Sequence, residues 1–512
     1  MAKRHSTPET ATGTAAPADL IGTADAAEEL GVSQATLRRW LKDGRVKGHK
    51  VGKQWRFRRS DLGSVVQVQD AAAASAPPPR PDVVAQCVAA ADERLARSGV
   101  NGARISTALE KLESQVLGYV ADSDPSARRL LARLILQAVR DHASDLHVEP
   151  MASAVKLRYR VDGALYELEP LPAEMAAPLA AEIKRWVSLD PAQRARPMDG
   201  RMMLHVFDRL IDIRVSTMPG IHGNAATLRI LDREALVPPV DRLGLEPGQL
   251  EAFRRAIAAP SGFIPVSGPT GTGKTTTIYA ALGQLNTPDR KITTAEDPVE
   301  YAFDGITQAQ INETLGLGYP RMLVSILRQA PDVIFIGEAR DHETAEMLCQ
   351  AGLTGHLVFS TLHTDDALAT PIRLLDMGVE PFLVASSIVC VVAQRLVRQV
   401  CPECRAEAQL TSREIDTLGL TGADRERPVY RGAGCERCTH HGYRGRIAVY
   451  EILEFDRGVR KAIAEADAAG LPAAARSAGW RPFRRVALEK LFRGETTAEE
   501  VIRHACSSPR RP

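Results

Sequence analysis

Residues 268–277 read "GPTGTGKTTT". Gly268 and Gly273 bracket Pro269, Thr270, Gly271 and Thr272, and Lys274 and Thr275 follow, which is the spacing G-x-x-x-x-G-K-[ST]. Glycines let a tight turn aim successive backbone N–H groups at phosphate oxygens. A lysine in the place of Lys274 reaches the β- and γ-phosphates, and a hydroxyl in the place of Thr275 takes one position on Mg²⁺. The flanks agree. "GFIPVSG" before the loop is a short apolar run suited to a buried strand, and "TTTIYAALGQL", beginning at Thr275 and Thr276, reads as a helix. The stretch predicts strand, phosphate-binding loop and helix, with a nucleoside triphosphate and Mg²⁺ as the ligands.

Working outward, the chain has 512 residues, enough for about three domains or more. Hydrophobic residues make up 44% and charged residues 25%, and the net charge is +2, so composition describes a globular chain and claims no class of partner. The N-terminus lacks the apolar core of a signal peptide. The longest uncharged apolar run, 382–393, is too short to span a bilayer and ends at Gln394 and Arg395. The expectation is a cytoplasmic protein, or one that docks on a membrane without crossing it. Of eight cysteines, four form two CxxC pairs. Cys87, Cys349, Cys390 and Cys506 are scattered and read as small hydrophobes.

Composition sets the joints. Residues 1–15 are Thr/Ala/Pro-rich and predict a disordered tail. A compact basic unit spans 16–65, and an Ala/Pro linker containing "AAAASAPPPRPD" spans 66–92. Residues 93–238 begin helical and continue with "AVKLRYRVDGALYEL", "GRMMLHVFDRLIDIRVSTM" and "ATLRIL", strand-like runs of an α+β domain. Over 239–400 short apolar strands alternate with helices, the pattern of a parallel α/β sheet. Residues 401–440 hold the CxxC pairs, and 441–505 form a helical end. No internal repeat is evident.

Four polar constellations follow four expected strands of the α/β segment: the phosphate loop after "FIPV", "TAEDPVEY" after "KIT", "GEARD" after "DVIFI", and "STLHTDDA" after "HLVF". Ligands of an open parallel sheet bind beyond the carboxyl ends of its strands, so these groups converge on one crevice. Phosphoryl transfer needs positioned charge, a metal and an oriented water. Glu338 suits the Mg²⁺ shell, Glu296 suits polarising the attacking water, and His363 suits sensing the γ-phosphate. Asp297 and Asp366 fit equally well as helix caps.

"TAEDPVEY", "ILRQAPDVIFIGEARDHETA" and "GLTGHLVFSTLHTDDA" resemble the Asp box, Walker B and His box of the secretion ATPase superfamily. "ASDLHVEP", "RYRVDG", "DIRVSTMPGIHG" and "RLLDMGVEPFLVASSI" resemble its type II secretion and type IV pilus-assembly branch, over residues of about 125 to 505. The resemblance implies a homo-hexamer of RecA-like ATPase domains, each preceded by a companion domain that closes over nucleotide and contributes arginines. Those arginines are Arg214 and Arg229, with Arg201 a weaker candidate. It further implies a cytoplasmic motor peripheral to the inner membrane, with a platform protein and a cytoplasmic docking protein as partners. Such a motor drives assembly of pilin-like subunits for type II secretion, or alternatively extends a type IV pilus. The sequence departs from the family at Val324, which replaces an arginine, at Ala330, which replaces an acid, and at Asp365 and Asn224. These departures spare the phosphate loop, Glu296, Glu338 and His363.

Cys401, Cys404, Cys435 and Cys438 match a closed tetrahedral Zn²⁺ site, with two disulfides or a redox CxxC as alternatives. The export branches of the resembling family carry such an insertion.

Residues 22–62 resemble the winged helix-turn-helix of excisionases and mercury-resistance-type regulators. Thr23 and Ser33 are placed to cap two helices, with Ala26, Leu30, Val32, Leu37 and Trp40 as the apolar face and "VKGHKVGKQWRF" as a hairpin wing. Between 31 and 60, ten Lys/Arg stand against one acid, Asp43. Gln34, Thr36, Arg38 and Arg39 would then face a DNA major groove, with Arg56 and Arg58 on phosphates. Docking to a protein or an acidic lipid is the equal alternative.

Overall fold

The structure, a computed structural model, describes residues 20–29, 37, 41, 47–51, 54–58, 81–96, 102–117, 125–232 and 237–506. The chain divides into two units, residues 1–232 and 233–512.

At the start of the first unit, β1 (Leu20–Gly22), β2 (His49–Val51) and β3 (Gln54–Arg58) form an antiparallel sheet in the order β1-β3-β2, so the expected wing is a hairpin. Thr23 begins the helix Thr23–Glu29, and its hydroxyl donates to the Trp55 carbonyl at 3.4 Å, joining helix to wing. Ala26, Ala27, Leu37 and Phe57 form the small core, and Arg56 and Arg58 lie on β3. Leu30, Val32, Ser33, Gln34, Thr36, Arg38, Arg39 and Trp40 lie outside the described residues.

The segment 81–92, assigned to the linker by its prolines, belongs to the helix Pro81–Ala96. Pro81 sits at the helix start, where its missing N–H costs nothing. Ala91 and Leu95 are buried in one core with the helix Pro125–Arg140. The companion sheet joins β4 (Ala143–Pro150), β5 (Ala154–Val161), β6 (Ala164–Glu167), β8 (Met198–Val206), β9 (Arg209–Gly220) and β10 (Gly223–Asp232) in the order β6-β5-β4-β10-β9-β8, while the short β7 (Leu171–Pro172) pairs with β5. Alternation divides its two faces. Leu146, Val148, Leu157, Tyr159, Ile211, Ile213, Val215, Leu228 and Ile230 bury against the helices, and the Tyr159 hydroxyl donates to the Leu134 carbonyl at 2.6 Å. The residues of opposite parity form the other face.

In the second unit a seven-stranded sheet runs β13-β12-β14-β15-β11-β16-β19. Its parallel strands are β11 (Gly262–Ser267), β12 (Ile292–Glu296), β13 (Ile306–Gln310), β14 (Val333–Glu338), β15 (Leu357–Leu362) and β16 (Cys390–Val400). β11, β12 and β15 are buried at every residue, as a sheet covered on both faces requires. Phe263, Ile334, Ile336 and Val358 enter one core layer, and Ile264, Val266, Phe335 and Phe359 enter the other. The sheet does not stop near residue 400. β19 (Tyr443–Glu454) returns to pair antiparallel with β16 from Cys390↔Glu454 to Val400↔Tyr443. The segment between them carries β17 (Arg405–Ala408) and β18 (Val429–Gly432), a two-stranded ribbon. Four helices from Arg457 to Ala505 close the unit. Val324 is 40% exposed on the helix Tyr319–Leu327, and Ala330 holds a left-handed φ of 50°. Among the described residues no helix is long and apolar enough to cross a membrane.

Candidate functional site

The strand order sets the site. β12, β14, β15 and β11 are neighbours, and their carboxyl ends present Glu296, Glu338, His363 and the phosphate loop side by side. The loop delivers Lys274 and Thr275 at the start of the helix Lys274–Leu285, after Gly273 at a left-handed φ of 84°. The positive end of that helix and its unpaired first N–H groups favour an anion there. The Lys274 ammonium is buried and donates to the Gly268 carbonyl at 2.7 Å and the Pro269 carbonyl at 3.0 Å. Burial lowers its pKa to about 8, with the Glu338 charge opposing. A cation held by neutral carbonyls out of water is primed to exchange them for phosphate oxygens.

Glu338 ends β14 just beyond an irregularity that re-registers it opposite Thr361. Its carboxylate lies 2.5 Å from Arg340 Nη2 and 3.7 Å from His363 Nε2. Burial, then the Lys274 charge, hold the His363 pKa below its usual value, so near neutral pH the ring is uncharged. Lys274, Glu338 and His363 therefore share one electrostatic neighbourhood.

Glu296 ends the adjacent strand in a different setting. It is buried, and its carboxylate accepts from the Tyr279 hydroxyl, from Thr294 Oγ1 at 2.5 Å and from Gln308 Nε2 at 3.2 Å. Burial raises its pKa against these donors. Tyr279 is fixed edge-on by Tyr301, Phe303 and Phe335, with centroids 5.1–6.2 Å away. Asp366 Oδ1 accepts from the Ala369 N–H at 2.7 Å, a cap-like bond, and Asp341 caps the helix His342–Leu353 through Thr344.

Sequence reasoning missed Tyr279, Thr294, Gln308 and two buried polar groups on later strands. One is Gln394 on β16. The other is Glu451 on β19, whose carboxylate accepts from Ala367 N–H at 2.8 Å and Phe483 N–H at 2.6 Å. Burial pushes its pKa up to about 7. The only signal for either was a polar residue inside an apolar strand.

On the face of the companion sheet turned away from its helices, register aligns Arg160, Asp145, Arg229, Arg214 and Arg201 in one row across β5, β4, β10, β9 and β8. Asp145 lies 3.2 Å from Arg229 Nε, and Asp212, 1% exposed, takes Arg201 through two bonds of 2.6 and 2.7 Å. Arg229 remains 61% exposed and Arg201 42%.

The four cysteines of the 401–440 segment come together, with all four sulfurs within 4.8 Å of one another. The Cys401–Cys435, Cys404–Cys438 and Cys435–Cys438 Sγ separations are 3.9, 3.8 and 3.8 Å. A tetrahedron with metal–sulfur bonds of about 2.3 Å has edges of about 3.8 Å, so the sulfurs fit a zinc-sized ion. All four cysteines are free thiols. At Cys438 burial opposes ionisation, while the N–H groups of Cys435 and Gly442 and the neighbouring thiols favour it, so the thiol pKa is lowered from its ordinary value.

Comparison with known proteins agrees with this geometry. Residues 120–503 match the family described as Type II/IV secretion system protein, and residues 20–64 match a Helix-turn-helix domain. The chain is 44% identical over 376 residues to the type II secretion system protein HxcR of Pseudomonas aeruginosa, covering 73% of this chain and 76% of that one. It is 41% identical over 383 residues to the type II secretion system protein E of Aeromonas hydrophila, covering 75% and 76%. It is also 41% identical over 390 residues to the type IV pilus assembly ATPase PilB of Myxococcus xanthus, covering 75% and 68%. Among solved structures, the pilus retraction motor PilT with bound ADP aligns with a TM-score of 0.50 at 25% identity, over 74% of this chain and 97% of that one. The ATPase DotB of Yersinia pseudotuberculosis aligns with a TM-score of 0.56 at 20% identity, over 74% and 94%. With a phosphate loop at the carboxyl end of β11 in a RecA-like sheet and this degree of likeness along three quarters of its length, the chain belongs to the type II/IV secretion system ATPase family and hydrolyses ATP.

Proposed function

We propose that this ATPase is a homo-hexameric, cytoplasmic motor, peripheral to the inner membrane, that powers type II secretion by driving assembly of pilin-like subunits. It would act through an inner-membrane platform protein and a cytoplasmic docking protein. The observation that carries the motor reading is the gathering of Lys274, Glu338 and His363 at neighbouring strand ends. When bound, Mg²⁺ neutralises charge developing on the transferred phosphoryl group. Residues 268–276 cradle the phosphates, with Lys274 as their cation. Thr275 and Glu338 are the residues that would hold the Mg²⁺. Glu296 orients the attacking water through a carboxylate that Tyr279, Thr294 and Gln308 hold in place. Neutral His363, beside Glu338, is suited to a hydrogen bond with the γ-phosphate. Arg214 and Arg229, with Arg201 beside them, are the companion-unit cations that an anionic ligand would meet. Zn²⁺ held by Cys401, Cys404, Cys435 and Cys438 is structural, since four thiolates leave no open position. Type IV pilus extension is the alternative within the same chemistry, and the relatives carry both names.

A second reading rests on the headpiece, whose family match is to a helix-turn-helix. It makes DNA the address, through the helices and wing of residues 22–62. One assay separates the two: ATP turnover of the full chain with acidic-lipid vesicles bearing a platform protein, and with duplex DNA across a salt series. Acceleration by the vesicles alone supports the secretion motor. Acceleration by DNA that fades steeply with salt replaces it with the second reading.

A further inference from the structure

Gln394 has no assigned role, yet it lies directly beneath the phosphate loop. It is 1% exposed, in the middle of β16. Its Nε2 donates to the Thr272 carbonyl, and its Oε1 accepts from the Thr277 hydroxyl at 2.7 Å. The Thr277 hydroxyl is also 3.1 Å from the Tyr450 hydroxyl. Since Thr277 spends its proton on Gln394, Tyr450 is the donor in that pair. The bonds then run one way, from Tyr450 through Thr277 to Gln394 and on to Thr272, and this order fixes the amide's orientation. The main chain of Gln394 is as close. A Cβ on Gly268 would stand 2.4 Å from the Gln394 carbonyl oxygen, and one on Gly273 would stand 3.2 Å from Nε2.

Peptide geometry turns this contact into a statement about phosphate. In a planar trans peptide the C=O of one residue and the N–H of the next point in opposite directions. Pinning the Thr272 carbonyl down onto Gln394 therefore aims the Gly273 N–H up, away from the sheet and into the loop's concavity. Gly273 can take either orientation of that peptide cheaply, because it has no side chain to restrict it. Without a restraint, the reversed peptide would present a carbonyl oxygen to the phosphates.

We propose that Gln394 is a positioning residue for nucleotide binding: it holds the Thr272–Gly273 peptide through its own Nε2–H, so that the Gly273 N–H faces the phosphates. This inference rests on the phosphate-loop assignment above. Its effect falls on nucleotide affinity more than on turnover, because Gln394 does not contact Glu338 or His363.

The test measures the Kd of the full chain for Mg–ADP, and KM and kcat for ATP. Gln394→Met keeps the volume and removes both bonds. It is expected to raise Kd and KM about tenfold, the order expected for losing a bond to a charged group, with kcat within about threefold. Thr277→Val leaves the Gln394–Thr272 bond and is expected to change Kd less than about threefold. A merely structural role predicts equal losses in the two variants, since each leaves a buried partner unpaired, and equal losses would overturn the proposal. Should Gln394→Met fail to fold, Gln394→Asn keeps an uncharged amide but draws its donor back from the Thr272 carbonyl, and carries the same expectation. Wild-type chain that fails to bind Mg–ADP would sink the loop assignment itself. Wild type that binds, beside a Gln394→Met chain within twofold of it, would sink this inference alone.

Discussion

The motor unit gathers charge at the carboxyl ends of its strands and the companion unit across one face of its sheet, and they do it in opposite ways. In the motor unit the charged groups are sheltered and already engaged: Lys274 by two carbonyls, Glu296 by three donors, Glu338 by Arg340. In the companion unit Arg229, Arg214 and Arg201 stand as direct cross-strand neighbours on one sheet face, with the buried Asp145 and Asp212 as counter-charges. Like charges opposite one another weaken a sheet. The first arrangement is a set of hydrogen bonds ready for exchange with a ligand. The second is a row set by strand register, in which cations and their counter-charges lie side by side.

The largest expected effect tests the first half of this contrast. Lys274→Ala and Glu338→Ala should each abolish steady-state phosphate release, a fall of about 100-fold or more, and wild-type rates in both would discard the site. Arg214→Ala and Arg229→Ala should slow turnover about tenfold while leaving the Mg–ADP Kd within about threefold. A companion-unit variant that loses ADP binding as Lys274→Ala does would erase the distinction. Next in size, Cys401→Ser should take bound zinc from near one equivalent per chain to near none and melt the 401–442 segment below the rest of the unit, read by metal analysis and calorimetry. A metal-free chain with an unchanged melting profile would overturn the zinc assignment.

A pH effect comes next. Burial raises the Glu451 pKa to about 7 from an ordinary 4.5. Between those values the folded chain holds a proton that the unfolded chain releases. This group's contribution is therefore full below about pH 4.5 and is lost as pH rises through about 7. The size is on the order of a few kcal/mol. Glu451→Gln should flatten the fall in melting temperature between pH 5 and 8, and an unchanged slope would remove Glu451 as its source. The smallest effect is local. Ala330 occupies a left-handed conformation that asparagine tolerates better, so Ala330→Asn should add about 1 kcal/mol in a denaturant titration without altering turnover.

How far the sequence could be read follows from where its information sits. The strand–loop–helix at 262–285 was legible because apolar runs and glycine spacing are contiguous and local. The convergence of "TAED", "GEARD" and "STLHT" on one crevice was legible because each follows a strand, and parallel sheets place such tails at one edge. Gln394 and Glu451 were not legible as site groups. A single polar residue in an apolar strand does not say which distant carbonyl or N–H it will meet. The helix Pro81–Ala96 was hidden because proline was read as a spacer although it also begins helices. β19 was assigned to the helical end because its partner β16 lies across the whole cysteine segment.

That last separation has a consequence for how the chain assembles. β16 and β19 are the two arms of one hairpin whose turn has grown to residues 401–442. Closing so long a loop is entropically costly, growing with the logarithm of its length. The four sulfurs, however, sit at the mouth of the loop, with Cys401 directly after Val400 and Cys438 shortly before Tyr443. An ion captured there staples the two arms at their open end, and the ladder can zip from Val400↔Tyr443 inward until Gln394 and Tyr450 arrive under the phosphate loop. On this view such an ion would be a seam-starter for the enzyme's floor, although the cysteines that would hold it stand outside the chemistry they help to build.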